Sequence, residues 1–568
     1  MKASLLWQKM KAFTQMDGPS RVWVLRCALL RPRYDYRMDM NEPALQRALK
    51  AFSAYPVISV LLPVHAADTR YLKKAVASVM AQAYPHWQLC VVDDGSPGNK
   101  VSAWLQSLKD ERIRVHVRQE NGGISAASND ALAMADGAYV CLLDHDDELT
   151  ADALFHIARV INTYHPELIY SDEDIVPASG HSWYGHFKPD FSPELLLSHN
   201  YITHLMAAPT GLTRAVGGFR SAYDSAQDYD LALRLCERAD RIVHIRRVLY
   251  HWRYITSSVS RRDAARCKTD LAGCRALEDA LQRRRQIGQV KSAGVPHHYR
   301  IWWTPPASSV ISAIFIGNPE DFNAVTRGLQ NVLEQQGLQA EFLPVDCGEK
   351  ADTVSAQLNA AAQQARGEYL LFADGRGYMD PLTELSQMAA IAAHPDTGAV
   401  GGMLCHSAGI IASAGYVFGG EGQVHYAYRG LPSGMSGYFH RLRLIHNVMA
   451  VHRDLMMVSR ARFMEVGGFD AARFPDCGAD ADLCLRLLLS GYRSVMLPMA
   501  RINLPGPLDP VPPGTAEKLH RRHADLLAGG DAWYHPLLRQ DRADYTFRHP
   551  FAQAPVYDGV MTQGGVPV

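Results

Sequence analysis

The chain has 568 residues, 47% hydrophobic and 20% charged, with a formal net charge of +0. That is apolar material for more than one core, and it leaves no global field to draw in nucleic acid. The ten cysteines form no Cys-x-x-Cys pair, so neither a zinc ribbon nor a dithiol redox centre is signalled, and a reducing, cytoplasmic setting fits best.

Residues 1–54 are read as a basic N-terminal helical extension. Lys2, Lys9, Lys11, Arg21, Arg26, Arg31 and Arg33 are interleaved with Leu5, Leu6, Trp7, Trp23, Val24 and Leu25. Two readings stand here: a peripheral contact with an anionic membrane face, or a helix packed on the first domain. The apolar stretch "SLLW" is too short for a secretory signal and is followed by lysines.

From Val57 the pattern alternates. "VISVLLPV" predicts a strand and "YLKKAVASVMAQAY" a helix with Leu72, Val76, Val79 and Met80 on one face. "QLCVVDDGS" is a strand running into acids. "IRVHV", the helical "ISAASNDALAMA", "AYVCLLD", the helical "ADALFHIARVINTY" and "ELIYSDED" continue the rhythm. Alternation of this kind implies parallel βαβ units. In an open α/β sheet the ligand crevice lies beyond the carboxyl ends of the strands. Asp93/Asp94, Asp144/Asp146/Asp147 and Asp172/Glu173/Asp174 are all expected there, as a cleft lining for a metal ion and a ligand. "AQDYDLALRL" enters a helix with Asp228 near its start, and "VLYHWR" ends the first module near Ser260. The domain, 55–260, is followed by an Arg-rich helical linker, 261–305.

A second alternation fills 306–505. "GEYLLFADGRGYM" lies over "GAYVCLLDHDDEL", and "GGFDAARFPDCGADADLCLRL" lies over "GGFRSAYDSAQDYDLALRL", which implies two copies of one fold. The uncharged window 397–420 holds seven glycines, so it reads as strand, turn and strand rather than a membrane span. Residues 506–568, Pro-rich at first, are expected to form an arm.

Taken in order, "LLPVHAADTRYLKKAVASVMAQAYPHWQLCVVDDGS", "NGGISAASNDALAMADGAYVCLLDHDDEL", "IYSDED", "FKPDFSPELLLSHNYI" and "GGFRSAYDSAQDYDLALR" resemble inverting family 2 glycosyltransferases of the GT-A fold. The likeness is to bacterial enzymes of O-antigen, capsule and exopolysaccharide assembly. It covers the first module throughout and the second more weakly. It implies an α/β chain of two tandem GT-A-like (Rossmann-like, nucleotide-diphospho-sugar transferase) domains and a UDP-, GDP- or dTDP-sugar donor. It further implies Mg²⁺ or Mn²⁺ at a DxD element, and a glycan or lipid-linked glycan acceptor.

By that resemblance Asp144-His145-Asp146 is the DxD element, with Asp146 a metal ligand and Asp144 a contact to ribose or metal. Asp94 would meet the nucleobase, with Asp93 beside it and Pro63, Val64, His65 and Asn121 in the same pocket. Asp228 would be the base that takes the acceptor's proton, and His251 and Arg253 would touch metal or diphosphate. "SDED" is either an acceptor-site element or a capped turn.

The second module departs from the pattern. Asp374 stands where Asp144 does, but Arg376 replaces Asp146, Gly377 replaces Asp147, and Cys347 replaces Asp94. Asp480 survives in the place of Asp228. A degenerate module that binds acceptor or organises the chain is expected, the alternative being a bifunctional transferase. A nucleotidyltransferase would show a Gly-rich phosphate loop near the first strand, which "LLPVHAADTR" is not. A non-catalytic carbohydrate-binding scaffold would have no reason to hold Asp144, Asp146 and Asp228 together.

Overall fold

The structure, a computed structural model, describes residues 42–177, 184–254, 263–306, 310–320, 322–346, 353–379, 382–406, 409–548 and 558–567. The basic segment 1–40 and Cys347 lie outside the described residues. The chain forms two units. One draws its described residues from Arg33–Phe191, Leu196–Trp302 and Pro555–Val568, the other from Ser192–Leu195 and Trp303–Ala554.

In the first unit, β1 (Ile58–Val64), β2 (Trp87–Asp93), β3 (Ile113–Val117) and β4 (Tyr139–Leu142) lie parallel in the order β3-β2-β1-β4. β1 is buried at every position except Pro63, as a strand covered on both faces must be. Helix α1 (Thr69–Met80) buries Leu72, Ala75, Val76 and Val79, and Asp68 caps it by accepting from the Arg70 N–H at 2.9 Å. Helix α2 (Ile124–Met134) leads into β4. The register sets Val64 opposite Asp93 and Leu61 opposite Leu142, so the acids after β2 and β4 share one edge of the sheet with His65.

The rest of the unit comprises β5 (Glu148–Leu149), α3 (Ala153–Tyr164), β6 (Leu168–Pro177), β7 (Tyr184–His186), β8 (Met206–Pro209), α4 (Gln227–Cys236), β9 (Arg241–Tyr254) and α5 (Asp263–Arg284). β8 runs antiparallel between β4 and β6, and β6 is parallel to β9, so the sheet is mixed rather than wholly parallel. One expectation is corrected here. Asp172, Glu173 and Asp174 lie inside β6, not past its end. The ladder to β9 continues through them with register shifts on both sides of Asp172, because each carboxylate meets a histidine from a neighbouring strand: Asp172 with His244, Glu173 with His186 and Asp174 with His251.

The second unit repeats the plan. Its strands β10 (Val310–Gly317), β11 (Gln339–Asp346), β12 (Tyr369–Asp374), β13 (Thr397–His406), β14 (Leu455–Ser459) and β15 (Arg493–Leu504) are ordered β11-β10-β12-β14-β13-β15. Again β10 is parallel to both its neighbours, and β14 runs antiparallel between β12 and β13. Helices α6 (Val354–Gln364) and α7 (Ala479–Leu489) correspond to α2 and α4.

Side-chain bonds recur as well. Asn129 and Phe219 exchange two hydrogen bonds, as do Asn359 and Phe469. Arg234 pairs with Asp230 and donates to the Val216 and Gly218 carbonyls, while Arg486 does the same with Asp482, Val466 and Gly468. The expected duplication of one α/β fold therefore extends to these two sets of side-chain bonds. The glycine-rich window folds as strands Thr397–His406, Ile410–Ser413 and Tyr416–Phe418. A Cβ on Gly401 would stand 2.3 Å from Val451 Cβ, and one on Gly402 2.1 Å from Leu455 Cδ2, so close packing excludes side chains there. No described helix is long and apolar enough to cross a membrane.

Candidate functional site

The loops beyond β1, β2 and β4 of the first unit carry the residues singled out from the sequence. Asp94, 2% exposed, accepts from the Gly122 and Gly123 N–H groups at 2.8 and 2.9 Å and pairs with Arg118 Nε at 3.0 Å. Its carboxylate thus caps α2 from across the fold, where the helix N-terminus favours an anion. The acceptor left open is on Asp93: Oδ1 takes the Ser96 N–H at 3.1 Å, while buried Oδ2 has no hydrogen-bond partner. His65 Nδ1 lies 2.9 Å from the Asp94 carbonyl and 2.9 Å from Asn121 Nδ2. Asp93, Asp94, His65 and Asn121 therefore form one cluster, next to Pro63 and Val64 at the end of β1.

Past β4, Asp144 and Asp147 converge with His204, a residue that sequence reasoning did not single out. One ligand atom from each of these three lies within 4.8 Å of the others. His204 stacks on Tyr250 with ring centroids 4.5 Å apart, and its ring bridges Glu173 Oε2, at 3.0 Å, to Asp144 Oδ2, at 3.6 Å. Burial alone would pull His204 down. The carboxylates of Asp144 and Glu173 outweigh it and hold the imidazole well above its ordinary pKa. Half-exposed Asp144 loses hydration, yet His204 keeps its carboxyl below the usual range.

Asp147 is buried and doubly held, accepting from the Tyr250 hydroxyl and the Arg253 N–H, each at 2.7 Å. Burial still pushes its carboxyl well up, and burial also raises Asp146. Asp144, Asp146 and Asp147 crowd one loop, so any cation that enters relieves a standing cost. His145 and Asp146 are partly exposed on the same loop. Two of the ligands expected from the resemblance, Asp146 and His251, are not in the converging trio: His251 Nδ1 instead lies 2.7 Å from Asp174 Oδ1. Arg253 braces the loop, donating to the Asp146 carbonyl at 2.9 Å and pairing with Glu148.

Behind the trio lies a buried ionic layer. Lys188, 0% exposed, stands 3.6 Å from Glu173 and donates to the Ile202 carbonyl at 2.7 Å. Burial opposes ionisation of Glu173, but Lys188, His186 and His204 hold it well below its ordinary value. His244 sits between Asp172 at 3.1 Å and Asp190 at 2.9 Å. Of the SDED acids Glu173 is the one that holds the His204 ring, while Asp172 and Asp174 pair with His244 and His251.

Asp228 lies in the first turn of α4, and Asn200 Nδ2 donates to its Oδ2 at 3.0 Å. Burial raises its carboxyl, and the charges of His204, which lowers it, and Asp144, which raises it, both reach it. Its counterpart Asp480 is bound differently: Oδ2 accepts from the Tyr416 hydroxyl at 2.9 Å and the Arg453 N–H at 3.0 Å, and Oδ1 from the Ala481 N–H at 2.9 Å. Asp374 is clasped by Arg376, through Nε at 3.1 Å and Nη2 at 2.7 Å. The trio has no equivalent metal-binding group among the described residues of the second unit.

Comparison with known proteins gives the following. Residues 59–214 match the family described as Glycosyl transferase family 2. An uncharacterized protein, y4gI, of Sinorhizobium fredii is 34% identical over 87% of this chain and 59% of its own length. The O-antigen biosynthesis protein RfbC of Myxococcus xanthus is 31% identical over 89% of this chain and 42% of its own length. The chain thus spans about half the length of these curated relatives. The crystal structure of S. aureus TarS 1–349 aligns over 40% of this chain and 72% of that one, at 18% identity and a TM-score of 0.31.

Proposed function

Residues 59–214 being a glycosyl transferase family 2 domain, we propose that the chain moves a sugar from a nucleotide-sugar to a hydroxyl of a growing bacterial surface polysaccharide. One observation carries this reading: Asp144, Asp147 and His204 converge at the sheet edge that also carries the Asp93–His65–Asn121 cluster, and Asp228 lies within reach of their charge.

The donor's base and ribose would lie against His65, Asn121 and Asp93, whose open Oδ2 suits an N–H donor of a nucleobase. Asp144 and Asp147 supply oxygen ligands that suit Mg²⁺ or Mn²⁺, and the His204 ring would add a nitrogen ligand on giving up the proton that Asp144 and Glu173 stabilise. When bound, such an ion would neutralise the charge that grows on the departing diphosphate. Asp228 takes the proton of the attacking hydroxyl. Its raised pKa makes it a stronger base than an ordinary aspartate, and Asn200 fixes its orientation. Inversion in one displacement needs only this one carboxylate on the acceptor side.

We read 55–260 as the catalytic domain, 306–505 as the second module, and the acceptor as a glycan, lipid-linked in the cell. The basic segment 1–40 would give the chain a peripheral hold on the inner membrane face. The saturated carboxylate of Asp480 supports a second module without a working base. The test is release of nucleoside diphosphate from UDP-, GDP- and dTDP-sugars. One donor is expected to turn over with Mn²⁺, to stop in EDTA, and to slow by roughly a hundredfold in Asp144→Ala. Full turnover in EDTA would overturn the metal assignment.

A further inference from the structure

The second unit keeps an open cleft where the first has its acid cluster. Its volume is about 430 Å³, and its walls include Asp374, Arg376, Arg453, Asp454 and Asp480, with Tyr416, Tyr426 and the run Leu508–Pro510. That volume lies within the ~300–1,000 Å³ of sites that hold small molecules.

Two of its groups are buried with open hydrogen-bonding capacity. Asp454 is 8% exposed. Its carboxylate accepts no hydrogen bond, having only the His452 ring 3.5 Å away, and burial raises its pKa. In the chain it stands where His204 stands in the first unit, since Leu455 pairs with Ala373 on β12 as the β8 residues after His204 pair with β4. Its neighbour Arg453 donates through Nη2 to the Asp476 carbonyl at 2.6 Å, while buried Nη1 has no partner. Arg453 Nη1 is thus an unfilled buried donor, costing stability until a ligand meets it, and the Asp454 carboxylate, next in the chain, is an acceptor that no protein hydrogen bond fills. Beside them the His452 ring stacks on Tyr416, with centroids 5.9 Å apart.

The charge balance narrows the ligand. Five aspartates line the cleft against two arginines, and Arg376 is already bidentate to Asp374, so a nucleoside diphosphate meets net repulsion. A divalent cation finds no converging ligand trio here among the described residues. What fits is an uncharged molecule that presents donors and acceptors on adjacent atoms, as vicinal hydroxyls do.

We propose that this cleft is a carbohydrate-binding site for a neutral segment of the glycan, held by Asp454 and Arg453, with no chemistry of its own. The inference rests on the transferase reading only for the identity of the glycan, since binding can be measured without turnover.

The test uses the full chain on an array of neutral, uronic-acid and amino-sugar oligosaccharides, with hits measured by calorimetry. A neutral oligosaccharide is expected to bind, equally well in Asp228→Asn, and about tenfold or more weaker in Asp454→Leu and Arg453→Met. The Asp454 carboxylate accepts no hydrogen bond, and leucine keeps the backbone N–H and C=O that bond His452 and Asp374, so Asp454→Leu should melt no lower than the parent and release nucleoside diphosphate from the donor at the parent's rate. Binding unchanged in both variants, binding of uronic-acid or amino-sugar ligands alone, or no neutral ligand bound at all would overturn the proposal. A parent chain that turns over the donor yet binds no neutral glycan would sink this inference alone. Binding intact without turnover would sink only the transferase reading.

Discussion

At Asp228 stability and chemistry pull in opposite directions. Burial raises its carboxyl, so the folded state prefers the protonated form. Its contribution to stability is full below the unfolded pKa and is lost as pH rises through the folded one. At neutral pH the ionised group is therefore a liability that the fold carries. Asp228→Asn keeps an acceptor for the Asn200 amide and removes that liability. We expect the melting temperature of Asp228→Asn relative to the parent to rise between pH 4 and pH 7, while turnover falls about 10²–10⁴-fold. Calorimetry across pH checks the first part. A variant that loses relative stability as pH rises would contradict the burial argument.

Asp93, Asp94, Asp144 and Asp228 could be found in the sequence because each follows a strand or opens a helix. His204 could not. It arrives from a segment with no acidic neighbours, and it matters only because Glu173 and Asp144 close on its ring in three dimensions. Likewise the capping of α2 by Asp94 is invisible until "NGG" folds against "VDDGS".

The βαβ rhythm of the first half was legible because buried strands leave unbroken apolar runs and α1 leaves a repeating apolar face. The second half of the sheet was not. β6 passes through three consecutive acids, which pattern reading takes for a strand end, and only the histidines opposite explain why it continues. Another element-scale device was equally hidden. Arg234 ties α4 to the carbonyls of Val216 and Gly218 while neutralising Asp230, which is 0% exposed. Arg220 also reaches Asp230, so it offsets part of the loss when Arg234 is removed. Arg234→Met should still cost about 3 kcal/mol, because it leaves a buried charge short of a partner. Urea denaturation measures this. A midpoint within error of the parent would show the clamp to be idle.

Across the whole molecule the two units share strand order, register, side-chain clamps and the acids Asp144/Asp374 and Asp228/Asp480, but Arg376 and Gly377 replace Asp146 and Asp147. Duplication was legible from motifs that repeat in order. The inequality was only half legible: the loss of Asp146 to Arg376 shows in the sequence, whereas the saturation of Asp480 by Tyr416, Arg453 and Ala481 does not. In the first unit Asp228 keeps a partly exposed carboxylate beside the metal-competent trio, and in the second Arg376 already occupies Asp374. These differences are what the proposed division of labour rests on, with the first module making the bond and the second holding glycan.

The most direct measurement compares Asp228→Asn with Asp480→Asn in the full chain, on the physiological acceptor, with each product linkage resolved by NMR. The account predicts that Asp228→Asn lowers every product together by about 10²–10⁴-fold while donor binding persists, and that Asp480→Asn lowers the yield severalfold at most with linkages unchanged. If Asp480→Asn instead eliminates one of two distinct linkages, or Asp228→Asn retains parental turnover, the division of labour described here is wrong.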